Sequence, residues 1–470
     1  MNVTTSPPKR IHILLACLLL PGVLPAASGE MEQGKRWLNA WRETTPMQKV
    51  RSSAAFYTAN GVIYMIGGIG GEVVRGRPGD DVADATTRMF MRSTEFARIR
   101  PDGSLSEWKA GPELNEKRGY FSAAGKGRYI YVAGGAHGAF GKALLDSVER
   151  AEIRPDGTLG PWQLEKQRLN IPRRCVKLVV VGDYLYAFGG FGGILLDTVE
   201  RARIQPDGSL GEWLVENNRF TMPRYIQGVA RVGDSVFQIG GHNKETGSGF
   251  SEVEWSRPDQ EGFFAPWSSA APLQKGRFGP AIAVRGSAIY ALGGLAGPAY
   301  LDSVERTSVN GDGRLSPWRY TTPLPKPLEG AAAVVAGENI YVIGGANRSG
   351  FQNTVYYASF NQEGEIGYLA SAEEAAQHDR AVAEKAKRPP LPNQGVVLEH
   401  IRKTQYSYLK VEMDNGARIW LAGPEQDLKP GTRIGFSEGM VMRNFHSKSL
   451  DRTFPSILFV GEIRAVKGAP

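Results

Sequence analysis

Cysteine is nearly absent from this chain, with two residues in 470, Cys17 and Cys175. That excludes a disulfide framework and any Cys-rich zinc or iron–sulfur centre. The six histidines show no second ligand at a telling spacing, so no metal is assigned and no cofactor is expected. No apolar run reaches the roughly 20 residues of a membrane span, so the mature chain is expected not to span a membrane. A formal charge of +8 spread over this length is a solubility term, and no nucleic-acid partner is expected from it. Glycine, in contrast, is abundant: 58 residues, about 12% against a usual share of about 7%. With no Gly-X-Y period and 41% hydrophobic residues, the chain is neither collagen-like nor disordered, and so much glycine implies many tight turns between short strands.

Residues 1–29 read as an export signal: Lys9 and Arg10 are followed by an apolar run from Ile11 to Leu24 and by the small residues Ala26, Ala27, Ser28 and Gly29. The mature protein is then periplasmic or secreted, and its formal charge falls to +6. Leu14, Leu15, Ala16 and Cys17 leave a lipid anchor as the alternative. Cleavage leaves Cys175 as the lone thiol, a residue type that is usually a small buried hydrophobe.

Self-similarity organises residues 30–368. An apolar phrase ending in Gly-Gly recurs six times, as IYMIGG (63–68), IYVAGG (130–135), LYAFGG (185–190), VFQIGG (236–241), IYALGG (289–294) and IYVIGG (340–345). A second phrase follows, typified by SVERAEI (147–153) and TVERARI (198–204), then an Asp-Gly turn in most copies. A tryptophan closes each of the first five units: Trp108, Trp162, Trp213, Trp267 and Trp318. Each unit therefore reads as four short strands, and four-stranded units at this period are propeller blades.

The Gly-Gly after an apolar strand, the Glu of the next strand and the Trp beyond it resemble the kelch motif, and six copies in register imply an all-β, six-bladed kelch propeller. The segment around Trp41, with Thr45, Pro46 and Arg51, looks like an orphan fourth strand that completes the sixth unit and closes the ring. Within the kelch group, a copper-radical oxidase would need a cross-linked cysteine and further ligands that cannot be mapped here. Exported kelch proteins that epimerise or mutarotate sugars are the better enzyme comparison.

The connections between strands 2 and 3 and between blades share one face, where length variation is concentrated. The first 2–3 connection, Ile69 to Arg92, is the longest; others carry His137 and His242, candidates for a metal ligand or a base. Nine residues before each first-hairpin turn stand Arg51, Arg118, Arg173, Arg224 and Arg277, and in the last unit Leu328. These arginines read either as a ring of guanidiniums at the channel mouth for carboxylate or phosphate, or as ties between blades that bond a repeat carbonyl or the motif Glu. The repeated Glu95, Glu149, Glu200, Glu254 and Glu305 read as paired scaffold charges.

Residues 369–394 read as a helical spacer and a Pro-rich linker. Ser371 and Glu374 fit a capping box, the Ala-rich run to Arg388 favours helix without a large apolar face, and Pro389 and Pro390 stop it. Residues 395–470 read as a small five-stranded OB- or SH3-like barrel, resembling small exported bacterial domains. Its least strand-like part carries Asn444, His446, Lys448 and Arg452, a candidate second site. The whole reads as an exported scaffold that binds a protein, peptide or glycan through its 2–3 loops and channel mouth. The alternative is a cofactor-free carbohydrate-active enzyme such as a sugar epimerase or mutarotase.

Overall fold

In the computed structural model the residues described are 35–70, 89–243, 247, 249–386, 391–403, 406–447 and 450–466. The export signal, Cys17 and most of the Ile69 to Arg92 connection lie outside them.

Six antiparallel blades form the ring. Their strands span Ala55–Ala59, Val62–Ile66, Thr94–Arg98 and Lys109–Ala110 in the first, and Ser122–Lys126, Tyr129–Ala133, Val148–Glu152 and Gln163–Leu164 in the second. The third holds Lys177–Val181, Tyr184–Phe188, Val199–Ile204 and Leu210–Val215, and the fourth Gly228–Val232, Ser235–Ile239, Val253–Ser256 and Ser268–Ala270. The fifth has Ala281–Arg285, Ala288–Leu292, Val304–Ser308 and Arg319–Thr321; the sixth has Ala332–Ala336, Asn339–Ile343, Val355–Phe360 and Ile366–Ala370. Each first strand touches the first strands of both neighbouring blades, the sixth blade meeting the first, so these strands line the axis.

Closure is made by the N-terminal segment. Arg42–Thr44 pairs with Val355–Tyr357 just as Lys109–Ala110 pairs with Glu95 and Phe96 in blade one, so the orphan fourth strand finishes blade six. Arg36–Leu38 adds a further strand against Tyr368–Ala370. Ile366–Gly367 occupies only the far end of that fourth-strand position, pairing with Ser359 and Phe360. The Trp41 indole donates to the Pro323 carbonyl at 2.9 Å, as Trp108 donates to Thr45 and Trp318 to Ala271, each reaching back to the preceding blade's connector.

Two features of the repeat hold blades together. The tyrosine of the Gly-Gly phrase sends its hydroxyl to the carbonyl of the turn glycine in the next blade: Tyr64 to Gly157, Tyr131 to Gly208, Tyr186 to Gly262, Tyr290 to Gly364, and Tyr341 around the ring to Gly103, at 2.6–2.8 Å. Blade four has Phe237 instead, which stacks on Trp255, and Trp255 in turn reaches the space beside Gly313. The paired glycines lie where backbones nearly touch. Gly67 has φ +56°, and a Cβ there would stand 2.9 Å from the Arg118 carbonyl of the next blade.

Beyond the ring, Ala372–Ala386 is a helix whose capping box forms, with Ser371 N donating to Glu374 Oε2 at 2.8 Å and Glu374 N to Ser371 Oγ at 3.2 Å. The helix rests on the closing segment through Ala375, Arg42–Glu374 and Arg36–Asp379. The tail has seven strands rather than five, ordered 439–447, 452–460, 418–423, 406–413, 393–403, 433–436 and 463–465, and its two end strands do not pair with each other. An Asn415-Gly416 hairpin joins Tyr406–Met413 to Arg418–Gly423. Gly439–Ser447, expected to be loop, is an edge strand. Its alternation is interrupted by Asn444 at φ +50°, opposite Pro455, which has no N–H to donate. Among the described residues no helix is long and apolar enough to cross a membrane.

Candidate functional site

The repeated arginines start the innermost strands, but their side chains turn into the blades. Arg51, Arg118, Arg173, Arg224 and Arg277 are wholly buried. In each, Nη1 donates to the carbonyl of the first glycine of its own blade's Gly-Gly, at 2.7–3.0 Å. Each Nη2 pairs with the motif Glu: Arg118–Glu149 at 2.7 Å, Arg224–Glu254 at 2.8 Å, and likewise Arg51–Glu95, Arg173–Glu200 and Arg277–Glu305. Desolvation opposes each guanidinium charge and the facing carboxylate supports it. The glutamates also receive the backbone of the connector before the blade, Gln48 N on Glu95 and Asn115 N on Glu149, both at 2.8 Å. Of the two readings of these arginines, the bonds to a repeat carbonyl and to the motif Glu are the ones formed, within each blade rather than between blades, and the guanidiniums are buried instead of lining the mouth. Blade six loses both members together: Leu328 replaces the arginine, Tyr356 the glutamate, and both are buried.

The axis is shaped two residues further on. Ser53, Tyr120, Cys175, Ile226, Gly279 and Gly330 all have positive φ, between 49° and 64°. Ser53 N donates to Gly330 O, Tyr120 N to Ser53 O, Cys175 N to Tyr120 O, Gly279 N to Ile226 O and Gly330 N to Gly279 O, at 2.5–3.2 Å. The blades are thus laced around the axis by a girdle of backbone bonds. Holding a β-branched Ile226 in this conformation costs about 1–3 kcal/mol, so the girdle is imposed by the closed ring rather than by local preference. Along the axis runs a cavity of about 140 Å³, lined by Phe56, Tyr120, Ser122, Lys177 and Glu329 among others.

Between clamp and girdle lies one position per blade, Ser52, Gly119, Arg174, Tyr225, Phe278 and Glu329 in blades one to six, buried in the first two and half-buried in the other four. Each pairs locally with the residue after Gly-Gly; Arg174 meets Phe191, Tyr225 meets His242, Phe278 meets Leu295 and Glu329 meets Ala346. Arg174 lies over Phe191, 5.1 Å from the ring centroid, and donates to the Gly141 carbonyl at 3.0 Å. His242 is sandwiched between Tyr225 and Phe278, at 4.4 and 4.3 Å between centroids, with Nδ1 2.8 Å from the Asn243 carbonyl. Burial lowers the pKa of His242, which favours the neutral ring.

Glu329 carries the one carboxyl of these positions, and among the described residues it has no ion-pair or hydrogen-bond partner; burial alone pushes it up to about 7. Tyr120 is raised to about 12 and the Cys175 thiol to about 11, chiefly by burial, and both feel the charges of Arg174 and Glu329. Lys177, three residues after Arg174 in blade three, is lowered by burial and has no carboxylate partner among the described residues. Burial thus favours the protonated thiol of Cys175, which lines the cavity.

The other sequence candidates are dispersed. His137 sits in the blade-two loop hairpin opposite Ala143 and takes no part in the mouth packing described for His242. In the tail, His446 Nδ1 meets Thr453 Oγ1 at 3.0 Å, while the Arg452 guanidinium lies 4.5 Å from the Trp420 centroid and 3.6 Å from Glu399. Arg452 is therefore already engaged, Asn444 bends the edge strand, and Lys448 lies outside the described residues. No group of three His, Cys, Asp or Glu side chains among the described residues is arranged to hold a metal ion. Arg174, Tyr225, Phe278 and Glu329 were missed from the sequence. Their signal was present: they vary from blade to blade beside an arginine that does not.

The kelch motif matches residues 172–201, which span the Arg173 clamp, the Gly-Gly and Glu200 of blade three. Human Kelch-like protein 35 is 36% identical over 84 residues, 18% of this chain and 14% of that protein. Kelch repeat protein M-T8 of Myxoma virus (strain Lausanne) is 26% identical over 224 residues, 47% of this chain and 37% of that protein. The chain thus matches well under half the length of either relative. The solved structure of YjhT superposes with a TM-score of 0.52 at 12% identity, covering 70% of this chain and 99% of that one, a likeness of fold alone. Together these likenesses support a kelch-repeat family for the ring.

Proposed function

We propose that this is an exported protein-binding scaffold, a kelch-type ring that seats a protein segment in the mouth formed by Arg174, Tyr225, Phe278 and Glu329. The supporting observation is the contrast within the repeat. Constant polar groups are satisfied inside the blades, whereas the varied residues beside them leave a carboxyl without a partner and an aromatic wall at the axis. Uncompensated polar groups at a mouth on a rigid ring are what a ligand can satisfy.

The test uses the full mature chain as bait for cell-envelope extract, in parallel with the double variant Tyr225→Ala/Phe278→Ala. A saturable protein partner that the variant retains at least tenfold less supports the reading. Equal retention by both overturns it, and mouth-dependent retention of glycans alone moves the ligand class to carbohydrate. The enzymatic alternative draws on Glu329, whose carboxyl titrates near neutrality and is suited to proton transfer. Carbohydrate turnover abolished in Glu329→Gln would select it.

A further inference from the structure

In a six-bladed ring, blade three stands opposite blade six. The ring is therefore polarised: Arg174 and Lys177 belong to blade three and Glu329 to the opposite blade six, and Lys177 and Glu329 both line the axial cavity. None of the three has an ion-pair partner among the described residues, although Arg174 and Glu329 both act on Tyr120 and Cys175. The two blades on one side of the gap, four and five, present Tyr225, His242 and Phe278; the two on the other, one and two, present Ser52 and Gly119.

We infer that the mouth takes a zwitterionic peptide group, a short segment whose ammonium lies toward Glu329, whose carboxylate lies toward Arg174, and whose apolar part rests on Tyr225 and Phe278. This rests on the protein-binding reading above and names the chemistry of what is bound. A guanidinium is the side chain best matched to a carboxylate, and an ammonium near aromatic faces gains from their quadrupoles. Because Glu329 shares its proton with solvent near neutrality, an ammonium ligand must displace that proton. Affinity should then rise with pH through about 7. The groups around Glu329 that accompany this titration are Tyr120, Cys175 and Tyr300, with Arg348 beyond Tyr300, and Lys177 and Arg174 of the opposite blade; the tyrosines and the thiol stay protonated there, since burial raises them, and burial lowers Lys177.

The experiment is calorimetric titration of the full mature chain with an aromatic dipeptide bearing both free termini, its N-acetylated form and its C-amidated form. The free dipeptide should bind, and each block should weaken it at least tenfold. Glu329→Gln should abolish the penalty of acetylation and flatten the pH dependence between 6 and 8. Arg174→Lys, which keeps the charge, should retain part of the penalty of amidation, and Arg174→Leu should lose it. The wild-type ligand series needs no variant, so a misfolded variant leaves the inference testable. Equal binding of blocked and free dipeptides, or no binding at millimolar concentration, overturns the zwitterion assignment. The scaffold reading would survive either result provided extract capture still depends on Tyr225 and Phe278.

Discussion

Arg173 and Arg174 are neighbours in the chain and opposites in the structure. The first is wholly buried, bonded to a carbonyl and paired with Glu200; the second is half-buried, stacked on Phe191, with no carboxylate partner among the described residues. The same division holds in the other blades: one residue is committed to the wall, the next is free to differ. A strand turns successive side chains to opposite sides, so a single step separates scaffold from site.

The largest effect should come from breaking the wall. Arg173→Ala leaves Glu200 buried without its cation and is expected to destabilise the ring by about 3–5 kcal/mol, read as a lowered midpoint in urea. Blade six shows how to sharpen this. The paired change Arg118→Leu/Glu149→Tyr copies Leu328 and Tyr356, and it should cost less than Arg118→Ala alone. A double variant worse than the single would show that the sixth blade tolerates the loss for a reason other than matched removal.

The mouth should respond with the opposite sign. Glu329 has a raised carboxyl, so the folded state holds its proton more tightly than the unfolded state does. Stability from this residue is present below the ordinary carboxylate range and is lost as pH climbs to about 7. Glu329→Gln should therefore gain on wild type as pH rises from 5 to 8, by up to about 2 kcal/mol, in melts across that range. Identical pH profiles would remove Glu329 from the set of uncompensated groups. A smaller effect is expected at the blade seams. Tyr186→Phe deprives the Gly262 carbonyl of its donor and should cost about 1–2 kcal/mol, which thermal unfolding would detect, whereas blade four already lives with Phe237.

Much of the ring was legible because every blade repeats the same solution. Gly-Gly, Trp and the Asp-Gly turns marked the strand ends, and Trp41 announced the closing strand through its likeness to the others. The tail offered no such redundancy: the edge strand 439–447, whose alternation Asn444 interrupts, was missed, and 452–460 and 463–465 were read as one run. At the site, the recurrence of Arg51, Arg118, Arg173, Arg224 and Arg277 fitted both a ligand ring and bonds to the motif Glu, and burial decided for the second. Yet the joint loss of arginine and glutamate in blade six already pointed to their pairing.

The sequence by itself determined the blade count, the strand order, the closing segment and the capped helix, because these depend on local turn chemistry and on patterns repeated along the chain. Only the tertiary structure decided which polar residues are spent inside the blades and which lack an ion-pair partner among the described residues, and that Arg174 and Glu329, 155 positions apart, belong to opposite blades. The physical reason is closure: a residue's distance from the axis and its partner across the ring depend on all six blades at once.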